Sequence, residues 1–255
     1  MREEDFRVIK AIIFDLDGTL VQTEALKAAS YARAAVELRP DTFSEEEVID
    51  AFKDVVGLSR GKVARGLMER FGLEESAGAR MEVFHVPTPW QAFVQVRLGI
   101  YESLVSDPET LRRHLCPYNV RLLKWARRRA FATGLATMSH CPQATHVLEI
   151  LKLNSDFDFI ASRDDVENGK PDPEIYQLVA NELAVSAPEC LVIEDSASGV
   201  KAALAAEMGC IAVTTEYTKR GVHESGLLDN GWIIDSPSDL HKVAERFITE
   251  KASQK

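Results

Sequence analysis

The sequence predicts an α/β protein, a parallel sheet core with helices on both faces that carries an inserted α-helical domain after its first strand. Three observations carry that expectation. The chain has 255 residues, above the common single-domain size of ~100 to 150. From residue 117 onward, short apolar runs alternate with segments of helical periodicity, as parallel strands joined by helical crossovers do. One further apolar run, V-I-K-A-I-I-F at 8–14, is separated from the others by a long stretch in which no convincing strand occurs.

Taken in order, the run at 8–14 ends at the acidic, glycine-containing D-L-D-G and reads as a buried strand feeding a tight turn. A helix is expected over 24–38, closed by Pro40. Ser44 and Glu47 have capping-box spacing for a second, ending near Gly57; a third covers 59–71 and is closed by Gly72. After F-H-V-P-T-P-W, residues 91–105 form a long amphipathic helix, followed by a loop at 106–108. Helices are then expected at 119–130, 142–151, 173–184 and 198–207, and strands at 131–137, 157–160, 190–193, 209–213 and 231–234. The tail E-K-A-S-Q-K reads as frayed. The expected division is a discontinuous core of 1–20 and 117–255 with a helical insertion of 21–116.

Composition excludes several classes. With 45% hydrophobic and 27% charged residues the chain is an ordinary globular protein, neither disordered nor fibrous. A formal net charge of -10 opposes binding to nucleic acid or to anionic membranes. The one dense basic run, 127–129, falls in an amphipathic helix and reads as its solvated face. Cys116, Cys141, Cys190 and Cys210 show no C-x-x-C spacing, so reduced thiols are expected rather than disulfides or zinc. No apolar run approaches 18 residues, and the opening M-R-E-E-D-F-R has no apolar leader core. A cytoplasmic monomer or homodimer is the expectation.

In open parallel sheets ligands bind beyond the carboxyl ends of the strands. Asp15 and Asp17 follow the first apolar run, Thr137 and Ser139 follow the second, and Glu194, Asp195 and Ser196 follow the fourth; Lys170 lies in the loop N-G-K-P-D-P. Alone, a D-G is a turn, an E-D-S a helix cap and a K-P-D-P a loop. Their joint occurrence at strand ends argues otherwise. Two acidic pairs converging on one edge repel unless a cation joins them, and an oxygen-only donor set with no His or Cys favours a hard ion, Mg2+. A metal, a lysine and a hydroxyl around an aspartate make a phosphate-binding environment.

These segments resemble the signature motifs of the haloacid dehalogenase superfamily of phosphohydrolases: D-L-D-G-T-L (15–20), L-A-T-M-S (135–139), G-K-P-D-P-E-I-Y (169–176) and V-I-E-D-S-A-S-G-V-K-A-A (192–203). The resemblance implies a Rossmann-like core and a helical cap of the family's first type, which opens, closes and selects substrate. It implies that Asp15 attacks phosphorus to give an aspartyl-phosphate and that Asp17 serves as acid and then base. Thr137 would hydrogen-bond the transferring group, with Gly18, Thr19 and Ser139 beside it, and Lys170 would neutralise charge. Asp15, the Asp17 carbonyl, Glu194 and Asp195 would hold Mg2+. Asp17 also separates phosphatases from the haloacid-cleaving members.

Gly57-Leu58-Ser59-Arg60 resembles the G-x-S-R of beta-phosphoglucomutases and related sugar-phosphate phosphatases, where the arginine meets a second anionic group. Two departures stand out. Gln22, Thr23 and Lys27 replace the D-S and the histidine of the frequent D-G-T-L-x-D-S-E-x-x-H, which weakens a mutase reading; and His140, where asparagine or lysine is common, could face substrate. The expected partner is therefore a small-molecule phosphate ester, a sugar phosphate or a phosphoglycolate-like compound, hydrolysed by a phosphatase. A phosphomutase is the nearest alternative, and a non-catalytic binding module on the same fold is a more distant one.

Overall fold

The computed structural model describes residues 8–56 and 58–253. The opening M-R-E-E-D-F-R, Gly57 at the start of the G-L-S-R segment, and the last two residues of the tail lie outside the described residues.

The sheet has six strands, all parallel: β1 (Ala11–Phe14), β2 (Ala132–Ala136), β3 (Phe159–Ala161), β4 (Cys190–Glu194), β5 (Gly209–Val213) and β6 (Ile233–Ile234). Their spatial order is β3-β2-β1-β4-β5-β6. The first strand is therefore central, with Ala11 in register with Ala132 on one side and Cys190 on the other. Covered on both faces, its residues are all buried, which is why A-I-I-F reads as an unbroken apolar run. Winding proceeds outward from β1 through β2 to β3, then restarts on its other side at β4. This reversal leaves a crevice beyond the carboxyl end of β1, where Asp15 follows.

Contacts divide the chain into two compact units, one of residues 1–22 and 112–255, the other of residues 23–111. The second is helical: α1 (Thr23–Leu38), α2 (Glu45–Lys53), α3 (Arg60–Phe71), α4 (Glu74–Gly78), α5 (Met81–Phe84), α6 (Pro89–Ser106) and the start of α7 (Pro108–Arg113). Its core is built where α1 meets α2 and α6, with the Tyr31 ring 5.7 Å from Phe52 and 5.6 Å from Phe93. The predicted capping box is present, Glu47 N–H donating to Ser44 Oγ and Ser44 N–H to the Glu47 carboxylate. Gly72 closes α3 in the left-handed conformation, at φ 61°.

The sheet unit adds α8 (Pro117–Arg128), α9 (Cys141–Leu151), α10 (Glu174–Glu182), α11 (Ala197–Ala205), α12 (Lys219–Ser225) and α13 (Leu240–Ser253). All four cysteines are free thiols. Among the described residues no helix is long and apolar enough to cross a membrane. In the basic run, Arg127 pairs with Asp158 and Arg129 lies over the Trp125 ring.

Several local expectations are corrected. The loop at 106–108 shrinks to Asp107, because its carboxylate accepts the N–H groups of Glu109 and Thr110 and so starts α7 at once. The third strand begins at Phe159 rather than 157, since a 3-10 turn over Asn154–Asp156 ends on Phe157. The second helix stops at Lys53, ahead of Gly57. The tail is helical through Ser253, where Leu240, Ala244 and Phe247 form a buried stripe at spacings of four and three.

Candidate active site

Asp15 is the first residue beyond β1, and its N–H still donates to Ile193 O of β4, so the strand ladder fixes where its side chain starts. The chain then turns: Gly18 N–H donates to Val21 O, and Leu20 and Val21 N–H both donate to Leu16 O. Gly18 is required here twice over. Its φ is +90°, and a Cβ would lie 2.1 Å from Asp195 Oδ2. Asn119 Nδ2, on α8, donates to Thr19 O at 2.7 Å and ties the loop to the core. The Thr19 side chain itself is fully buried.

Three other strand ends bring their residues to this loop. Beyond β2, Ser139 Oγ donates to Asp17 Oδ2 at 2.6 Å and Thr137 Oγ1 does so at 3.3 Å. Thr137 Oγ1 also accepts the Ser139 N–H, so the two hydroxyls and the Asp17 carboxylate hold one another in place. From the loop after β3, Lys170 Nζ reaches Asp15 Oδ1 at 2.7 Å, Glu194 Oε1 at 2.7 Å and Ala136 O at 3.0 Å. An ammonium has three protons, and all are spent.

Beyond β4, Glu194 is saturated. Its Oε1 accepts from Lys170 and from Tyr176 Oη at 2.9 Å; its Oε2 accepts from the Asp195 N–H, the Ser196 N–H and Ser196 Oγ. Ser196 Oγ in turn accepts the Gly199 N–H as the N-cap of α11. Gly199 lets that helix approach: a Cβ there would fall 1.7 Å from Glu194 Oε1.

The electrostatics follow from burial. Desolvation pushes the Asp15 carboxyl up to about 7 against the pull of Lys170, with Glu194 and Asp17 adding to the rise. Burial works against the Lys170 charge too, yet the two carboxylates beside it raise its pKa above the ordinary lysine value. For Glu194, Lys170 and the backbone N–H groups outweigh burial and lower the pKa. Burial, then Glu194 and Asp15, drive the Tyr176 phenol well above its usual value and keep it a donor.

Oxygens of Asp15, Glu194 and Asp195 all lie within 4.8 Å of one another, and the three residues are buried. With one lysine among them, this all-oxygen cluster keeps excess negative charge, which fits a hard divalent cation.

The sequence-predicted residues fall into three groups. Asp15, Asp17, Thr137, Ser139, Lys170, Glu194 and Asp195 converge on the carboxyl edge of β1, β2 and β4. His140 turns aside: its Nδ1 pairs with Asp164 Oδ1 at 2.6 Å while Asp164 Oδ2 accepts the Cys141 N–H and so caps α9. Arg60 belongs to the helical unit, where Lys27 bonds Glu24 at 2.7 Å. Sequence reasoning missed Tyr176 and Arg97. Tyr176 stands in the G-K-P-D-P-E-I-Y segment, six residues after Lys170, and its place in that motif was the one signal; only the structure shows its hydroxyl buried against Glu194. Arg97 is an isolated charge in an apolar helix segment; it is 5% exposed, its guanidinium lies 5.0 Å from the Tyr31 ring and 4.4 Å from the Tyr101 ring, and its Nε has no hydrogen-bond partner.

A family model for the haloacid dehalogenase-like hydrolases matches residues 9–207. The chain belongs to that family. It is 29% identical over 198 residues to a phosphorylated carbohydrates phosphatase of Thermotoga maritima, covering 78% of this chain and 82% of the relative. A phosphoglycolate phosphatase of Salmonella choleraesuis is 29% identical over 239 residues, covering 91% of each. Among solved structures, a beta-phosphoglucomutase from Clostridium difficile superposes with a TM-score of 0.62 at 24% identity, over 96% of this chain and 98% of that one, which is a likeness of fold. The chain is thus a phosphoric monoester hydrolase of the haloacid dehalogenase-like family.

Proposed function

We propose that the enzyme is a Mg2+-dependent phosphatase working through a phosphoryl group carried on Asp15. The observation that supports this most is the paired state of the Asp15 carboxylate: Lys170 touches one oxygen, Oδ1, and Asp15 is held by the strand ladder at the crevice of the sheet. Attack by a carboxylate oxygen on phosphorus forms the Asp15–phosphoryl bond and breaks the bond to the leaving oxygen, which takes a proton from Asp17. Asp17 then accepts a proton from the water that attacks the phosphoryl group, releasing phosphate and restoring Asp15. Thr137 and Ser139 hold the Asp17 carboxylate for both steps.

Lys170 offsets the repulsion between a phosphate dianion and Asp15. Asp15, Asp195 and Glu194, with the Asp17 carbonyl, would hold Mg2+, which when bound supplies positive charge to the transferring group. Gly18 and Thr19 shape the turn beside that phosphoryl, with the Gly18 N–H held by Val21 O and the Thr19 carbonyl by Asn119.

Within the helical unit, Arg97 and Arg60 have an anion-binding chemistry. Among the described residues Arg97 is buried with its Nε unpaired and no carboxylate ion pair, and Arg60 is near enough to it for the two charges to be felt; an anionic group on the metabolite would answer both. A phosphorylated sugar acid or a sugar bisphosphate has that chemistry, and the names of the relatives agree with a sugar phosphate or a phosphoglycolate-like ester. Location in the cytoplasm belongs to the same reading, as does a monomeric or dimeric enzyme without nucleic-acid or membrane partners.

The test is a panel of phosphorylated metabolites assayed for free phosphate with Mg2+. Release from sugar phosphates or phosphoglycolate is expected, fastest where a second anion is present. Interconversion of hexose 1- and 6-phosphates faster than phosphate release would instead make the protein a mutase.

A further inference from the structure

We propose that Tyr176 is a positioning residue for phosphoryl transfer, its hydroxyl locking Glu194 so that Glu194 aims the Lys170 ammonium at Asp15. The inference rests on the reading of Asp15 as nucleophile, and nothing in the motif alone assigns the phenol a task.

The geometry is closed at every atom. Tyr176 is the third residue of α10 and fully buried, and its Oη donates to Glu194 Oε1 at 2.9 Å. That oxygen also receives Lys170 Nζ at 2.7 Å. Lys170 Nζ lies 4.9 Å from the centre of the Tyr176 ring, so one side chain meets the ammonium with its face and the ammonium's counter-ion with its hydroxyl. The other Glu194 oxygen is gripped by Asp195 N–H, Ser196 N–H and Ser196 Oγ. Glu194 is thereby pinned from both ends, by the α11 terminus on one side and by α10 on the other.

Without the phenol, Oε1 has Lys170 as its one remaining donor of those observed. The carboxylate is then free to pivot on its Oε2 contacts and to draw the ammonium with it. Lys170 has no slack: its third proton is committed to Ala136 O at 3.0 Å, so movement toward Glu194 comes at the expense of the 2.7 Å contact to Asp15. The reacting oxygen of Asp15 would lose alignment, while Lys170 keeps its charge beside the phosphate and the groups that meet the rest of the substrate are untouched. The consequence is a defect in kcat rather than in KM.

Tyr176→Phe keeps the ring and removes the hydroxyl. The expected result is a fall in kcat of about 10- to 100-fold, the worth of one hydrogen bond to a charged acceptor, with KM within about twofold of wild type. Amide hydrogen exchange at Asp195 and Ser196, whose N–H groups end on the same carboxylate, should quicken in the variant. Meta-fluorotyrosine at position 176 retains the donor and should restore kcat. Unchanged kcat, a change confined to KM, or a Phe variant that unfolds below the assay temperature would each overturn the assignment, the last by making the hydroxyl structural. If wild type released phosphate from no ester, the reading of Asp15 would fail instead, and the exchange at Asp195 and Ser196 would then decide alone whether Tyr176 positions Glu194.

Discussion

Lys170 in the sheet unit and Arg97 in the helical unit are both buried cations, and they are treated in opposite ways. Every proton of the Lys170 ammonium is bonded, two of them to carboxylates that are themselves buried. Arg97 has two tyrosine faces and an Nε without a partner. A buried charge with its counter-ions built in belongs to chemistry that is the same on every turnover. One left without them costs stability until a ligand supplies the missing anion. The contrast is between a cation answered within the protein and one that a ligand could answer.

That contrast breaks most visibly at Lys170. Lys170→Met leaves Asp15 and Glu194 facing each other, and kcat should fall about 100- to 10,000-fold, comparable to the loss of a charge-stabilising donor in other active sites. Stability at pH 8 should drop by about 3–5 kcal/mol, and by less at pH 5, where Asp15 takes up a proton. Chemical denaturation at the two pH values reads both numbers. Retained stability at pH 8 would mean the pair is not what holds the network.

Gly199→Ala attacks the same network from the α11 side. With a Cβ falling 1.7 Å from Glu194 Oε1, either the helix or the carboxylate must move, at a cost of about 1–3 kcal/mol. A loss of kcat should accompany it, seen in the same phosphate assay.

Arg97→Leu is the counterpart. Removing a buried cation whose Nε is unpaired among the described residues should leave Tm unchanged or slightly raised, while KM for a doubly anionic substrate rises about tenfold or more and kcat stays near wild type. A large fall in Tm would show that Arg97 is structural, and the distinction between the two cations would collapse.

The smallest effect concerns pH. The metal-free Asp15 carboxyl has its folded pKa raised to about 7 from an ordinary 3.8. Native protein therefore binds more protons than unfolded protein between these values, and the contribution of this group to stability is lost as pH rises from about 4 to about 7. Thermal melts in chelator should show that decline by a few degrees, and Asp15→Asn should lack it. Mg2+ should raise Tm more at pH 8 than at pH 5.

The same divide governed what the sequence could disclose. The strand at 209–213 was readable to the residue because a buried parallel strand is a bare apolar run, and the capping box at Ser44 because its two partners lie three residues apart. Motif residues at strand ends were readable for the same reason: topology places them. The pairing of Asp164 with His140 was not, since it joins two loops across the sheet edge and has no local pattern. Tyr176 lay in plain view, yet a tyrosine at helical spacing is an ordinary core residue until its hydroxyl is seen to reach Glu194. Helix α13 was missed though its stripe of Leu240, Ala244 and Phe247 was there to be counted. For Arg97 the sequence offered a lone charge, and burial decided its meaning.

The proposed chemistry turns on whether Asp15 carries the phosphoryl group. Rapid acid quench of the Mg2+ enzyme during turnover, followed by peptide mass measurement, tests this directly. A peptide containing Asp15 should gain the mass of one phosphoryl group, and the gain should vanish in Asp15→Asn together with phosphate release. Turnover at the wild-type rate in Asp15→Asn, or a phosphoryl group found on another residue, would contradict the account.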